Sequence, residues 1–150
     1  MPFPFTNGDV LNASDLNAIG TTTAFTPSWT NLTPGSATEN WHYARVNDLV
    51  VVTGMTTFAA DTSVGGAVEM DLPVTNNGGS GGIQHGLARF FDTGGTIIIG
   101  GIQLTSIRAL FLPYTAGGTF VARGSQMNTT YPFTWATGDT VAVQFVYQRA

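Results

Sequence analysis

Residues 140–148, TVAVQFVYQ, alternate apolar and polar side chains and set Val141, Val143, Phe145 and Tyr147 on one face. A period of two is the signature of a strand that buries one face and wets the other. Such a strand needs neighbours, and the sequence offers them at short intervals. Residues 41–46 (WHYARV) turn at Asn47-Asp48 into residues 49–53 (LVVVT), a hairpin pattern. Gly54 then reads as a bulge before residues 55–58. Residues 67–72 alternate and stop at Pro73, and further strands are predicted at 84–91, 96–104, 107–112 and 119–123. Residues 76–82 (NNGGSGG) form a glycine-rich loop whose composition favours flexibility.

This spacing predicts an all-β body over residues 24–150, a β-sandwich or jelly roll of about eight antiparallel strands. A single flattened barrel is the alternative. No internal repeat of roughly 20–50 residues is present, which disfavours a propeller or solenoid.

Residues 1–23 read differently. Pro2 and Pro4 hold an extended lead that presents Phe3 and Phe5, and Asn7-Gly8 is a turn signal. Asn12 suits a helix N-cap, Asp15 suits the positive helix end, and Gly20 is a natural stop. The resulting helix of about two turns is too short to persist alone in water. Its apolar side chains, Phe3, Phe5, Val10, Leu11, Leu16 and Ile19, must be buried against something else. The arm is therefore either tucked onto its own domain or a docking tag for a larger assembly.

Composition narrows the chemistry. The five basic residues are all Arg, and the net charge is −4, so the chain has no footprint for a phosphate backbone and no nucleic-acid partner is expected. Lacking Lys, it cannot form a Schiff base or supply a P-loop lysine. With no Cys it has neither disulfides nor thiolate metal sites. Only 9% of residues are charged, against the usual ~25%, and Thr, Ser, Asn and Gly carry the polarity. A surface so poor in charge repulsion suits permanent contact with neighbours. The first residues lack the basic and apolar regions of a signal peptide, so synthesis in the cytoplasm is expected. The longest apolar run, residues 97–102, contains two glycines and falls far short of a membrane span, so no membrane partner is expected.

Few residues suggest a reaction. His42 and His85 lie in separate strands, with no thiolate to help them hold a metal, and no metal or other cofactor is expected. Glu69 and Asp71 stand at i and i+2 and project from one strand face, a pairing that raises glycoside hydrolysis. Their place before Pro73 favours solvated acids at a strand end. The glycine loop at 76–82 lacks the Gly-Lys-Ser/Thr of a phosphate cradle. Aromatic residues are more suggestive. Trp29, Trp41, Tyr43 and Trp135 sit at strand ends or beside turns among Asn, Asp and Thr, where rings can stack on sugars. The competing reading is that they fill the core.

Three segments carry a resemblance. Residues 5–20, FTNGDVLNASDLNAIG, resemble the opening of many tailed-bacteriophage tail-fibre and related virion proteins: a Phe, a Gly turn, Leu, a small-residue pair and Asp-Leu-Asn-Ala. Residues 41–58, WHYARVNDLVVVTGMTTF, followed by VEMDLP at 68–73, are similar to the body domain of phage minor tail and fibre proteins. There a Tyr-x-Arg-Val turn precedes a valine-rich strand, and a later strand ends in Leu-Pro. Residues 134–149, TWATGDTVAVQFVYQR, are similar to the closing strand of those domains, which follows Gly-Asp. Asn47-Asp48 stands where Gly-Asp is more usual, a change that still suits a tight turn.

The resemblance implies a non-enzymatic virion surface protein, commonly a homotrimer, with the arm on a phage capsid or tail protein and the β body facing outward. A chain this short lacks a long shaft, which points to a capsid decoration protein, head fibre or short spike. A tail-located receptor-binding module for host-surface polysaccharide, using Trp29, Trp41, Tyr43 or Trp135, is the alternative. A polysaccharide depolymerase comes third.

Overall fold

A computed structural model describes residues 20–76, 84–117 and 120–150. The expected helix and the arm residues Phe3, Phe5, Val10, Leu11, Leu16 and Ile19 lie outside the described residues, as does most of the glycine loop. Ten strands follow one another: β1 (Thr22–Ala24), β2 (Trp29–Thr33), β3 (Thr38–Val46), β4 (Leu49–Thr57), β5 (Ser63–Asp71), β6 (Gln84–Phe91), β7 (Ile97–Leu104), β8 (Arg108–Gly117), β9 (Phe120–Arg123) and β10 (Thr140–Gln148). No helix occurs among the described residues. β1 begins inside the stretch assigned to the arm, so the sheet of the body starts at Thr22.

The all-β architecture expected from the alternation is the one the chain adopts. Its strands belong to a single sheet in the order β1-β3-β4-β10-β6-β7-β8-β5-β2, with β9 paired to β8. Every pairing is antiparallel. The sheet curls until its ends meet: Trp29 on β2 packs edge-on against Trp41 on β3, with ring centroids 5.5 Å apart. The body is thus sandwich-like, with one interior enclosed by shared strands.

β10 lies in the interior of the sheet, between β4 and β6. Its predicted inward face is buried, with Val141, Val143, Phe145 and Tyr147 between 1% and 7% exposed. The Tyr147 hydroxyl donates to the Val74 carbonyl at 2.7 Å, and burial pushes the phenol pKa up to about 12. The predicted β3–β4 hairpin forms with Val46 opposite Leu49, and Asn47 takes the left-handed φ of 56° that asparagine tolerates in tight turns.

Gly54 is not a bulge. The β3–β4 register runs without slippage from Thr38–Thr57 to Val46–Leu49, and Gly54 faces Trp41 across it. A Cβ on Gly54 would lie 2.0 Å from Trp41 Cε3, so the glycine is there to admit the indole. Trp41 is 2% exposed, and its Nε1 donates to Thr56 Oγ1 at 3.0 Å, which satisfies a hydroxyl in the core.

Asp139, also fully buried, fastens the entrance to β10. Its Oδ1 accepts from Thr93 N at 2.9 Å and Thr93 Oγ1 at 3.0 Å, while Oδ2 accepts from Ala136 N at 2.7 Å. One carboxylate therefore joins the β6–β7 turn to the loop before β10. Gly138 beside it has φ 89°, a conformation that costs an L side chain strain.

Candidate functional site

The seam of the curled sheet makes a concavity. β1 pairs only with residues 42–44 of β3, whereas β3 runs on to Thr38. After Ala24 the chain makes one more bond to that edge, Phe25 N to Trp41 O at 3.0 Å. It then crosses to the opposite end of the sheet, where Ser28 O accepts from Asp71 N at 2.8 Å. The crossing leaves part of the β3 edge uncovered. A groove of about 420 Å³ results, lined by Phe25, Thr26, Glu39, Asn40, Trp41 and His42 among others.

Of the four aromatics selected from sequence, Trp41 lines it, and Trp29 and Tyr43 touch its lining residues. Phe25 packs edge-on against Trp41 at 6.0 Å and against Tyr43 at 5.8 Å. Trp29 contacts Trp41 and, at 5.7 Å, Phe111; its Nε1 donates to Glu39 Oε1 at 2.7 Å, which ties the two sheet ends together. Trp41 itself is a core residue, only 2% exposed, which leaves little of its ring for the stacking role considered from sequence. Trp29 and Tyr43 are partly buried against that core. Trp135 stands in a separate cluster, 4.9 Å from Phe58 and 4.6 Å from Phe133, with Nε1 donating to Asn128 O at 2.9 Å. Sequence reasoning missed Phe25. Selection by tryptophan and tyrosine passed over it, and only the end of β1 exposes its role.

The groove sets an apolar ring beside a carboxylate, an amide and an imidazole. Its volume falls within the ~300–1,000 Å³ usual for small-ligand sites. Such a mixture fits a neutral, hydroxyl-rich ligand, whose ring faces are apolar and whose rim donates and accepts hydrogen bonds.

The remaining candidates are held apart or engaged. Glu69 and Asp71 do project from one strand face, but both bind Arg108 on β8: Nη1 to Glu69 Oε2 at 2.7 Å and Nε to Asp71 Oδ1 at 3.2 Å. The solvated acid pair expected at this strand end is an ion-paired cluster, because register sets Arg108 opposite Asp71. His42 is on β3 and His85 on β6, with β4 and β10 between them. Three strand spacings separate their backbones by about 14 Å, too far to share one metal ion. Among the described residues no group of three or more His, Cys, Asp or Glu is placed to hold a metal. No protein-family model, curated protein or solved structure matches the chain.

Proposed function

We propose that the chain is a non-enzymatic surface protein of a tailed-phage particle, a homotrimeric capsid decoration protein, head fibre or short spike docked by its N-terminal arm. One observation carries this reading. The two longer body segments that resemble phage tail and fibre proteins fold as one contiguous piece of sheet, the β3–β4 hairpin with β10 beside it. Arg149 closes that unit, its Nε donating to Asp48 Oδ1 at 3.1 Å and its backbone N to Asp48 O at 2.8 Å. The arm sequence, with six large apolar side chains ahead of β1, supplies the attachment element.

The test is incorporation into particles by the full-length chain carrying Leu11→Asp and Leu16→Asp. Burying either carboxylate in a docking contact is costly, so a loss of at least about tenfold in bound copies is expected, with the melting temperature unchanged. Undiminished incorporation would overturn the docking role.

A second reading, a tail-located module for host-surface glycan, is favoured by the seam groove. Titration with host-type oligosaccharides should then give saturable binding that Phe25→Ala and Glu39→Gln each weaken about tenfold. Equal affinity in these variants would remove the groove from consideration.

A further inference from the structure

The outward face of β3, β4, β10, β6 and β7 carries most of the large apolar side chains that the described residues expose. Cross-strand register aligns them in rows: Met55–Ala142–Arg89–Ile99, Thr57–Thr140–Phe91–Ile97 and Thr53–Gln144–Leu87–Gly101. Leu87 is 60% exposed, Ile97 55%, Ile99 47% and Met55 40%. Between Leu87, Arg89, Ile99, Ala142 and Gln144 lies a shallow depression of about 270 Å³. Toward the β3–β4 turn the same face continues through Val146, Leu49 and Val46, all exposed.

Charge on this face is as informative as its apolar content. No outward position on these five strands is Asp or Glu, although the chain carries a net charge of −4. Arg89 is its one formal charge, and the guanidinium lies over the Phe91 ring, 5.4 Å from its centroid. Copies of an acidic protein repel one another over most of their surfaces and meet at least cost where neither presents a carboxylate. Strand spacing and rise give the face a flat area of about 700 Å², close to the ~800 Å² each partner contributes to an ordinary stable interface.

We propose that this face is the contact between copies of the chain, turned toward the axis of the oligomer so that Leu87, Ile99 and Met55 are buried against neighbouring subunits. The proposal rests on the homotrimer reading above and deepens it by assigning the surface. It also accounts for an exposed apolar sheet face in a protein of so little surface charge.

Light scattering of the purified full-length chain, beside Leu87→Glu with Ile99→Glu, tests it. The expected result is the mass of three chains for the unsubstituted protein and of one chain for the variant, with matching circular dichroism. If both have the mass of three chains, the face is wrong and the trimer stands; if the unsubstituted protein is a monomer at micromolar concentration, both fail. A thiol probe keeps the test sharp should the double variant misfold. The chain has no cysteine, so Leu87→Cys introduces a unique thiol, and Val121→Cys on β9, where the native side chain is 73% exposed, serves as control. Thiol reactivity follows access, so maleimide labelling at 87 should be slower than at 121 by about tenfold or more. Equal rates would overturn the assignment.

Discussion

Gly54→Ala is expected to destabilise the protein by about 3 kcal/mol or more, the upper end of the cost of overpacking a core. The added methyl would sit 2.0 Å from Trp41 Cε3 and 2.2 Å from its Cδ2, where no real contact exists. Neither partner has room to yield. Trp41 is buried with its Nε1 held by Thr56 Oγ1, and Gly54 lies on a strand paired on both sides, to Trp41 of β3 and Val143 of β10. Urea unfolding measures the loss directly. A double-mutant cycle identifies its cause: Trp41→Ala alone should cost about 3–5 kcal/mol through the cavity it leaves. With that cavity present the methyl at position 54 fits, so the double variant should be more stable than the sum of the two losses. Additive losses would show that the indole is not what excludes a side chain at position 54.

Asp139→Ala should have the second largest effect. It removes the acceptor for Thr93 N, Thr93 Oγ1 and Ala136 N at a position with no solvent exposure. Thr93 and Ala136 are themselves exposed, so water takes over part of the lost bonding, and a total of about 1–3 kcal/mol is expected. Asp139→Asn should also destabilise, since its amide offers an acceptor to only one side and turns a donor toward the other. The two variants should lower the thermal midpoint in the order Ala, then Asn. A midpoint within a degree or two of the unsubstituted protein for Asp139→Ala would mean that the turn and the loop before β10 are held by other contacts.

These two residues also mark where sequence and structure part. β10 was legible because its alternation is complete, and the β3–β4 hairpin because Asn47-Asp48 separates two periodic runs. Gly54 was not, because a glycine within a strand signals either a bulge or a close approach, and the choice is made by Trp41 on another strand. β5 begins at Ser63, earlier than the pattern suggests, since Gly65 and Gly66 interrupt the alternation. β8 passes through Pro113, where a stop was expected. The Pro113 carbonyl accepts from Gly124 N at 2.9 Å, so the ring nitrogen faces that side and costs the β7 ladder nothing.

The candidate site was legible only in part. Trp29, Trp41 and Tyr43 were selected by type and do converge, but type does not disclose exposure, and Trp41 proved to be core. Phe25 and the groove arise from where β1 stops, a fact of tertiary pairing. The same holds for Glu69 and Asp71, whose partner Arg108 is distant in sequence and adjacent only through the β5–β8 register.

Counting copies of the chain on purified particles, with the Leu11→Asp, Leu16→Asp variant beside it, tests the virion reading most directly. Quantitative mass spectrometry should find the chain on the particle in a multiple of three, spread over the shell for a decoration protein or few in number for a tail spike, and should find the variant lost from it. Recovery of the chain solely in the soluble fraction of the lysate, with none on intact particles, would contradict a virion role altogether.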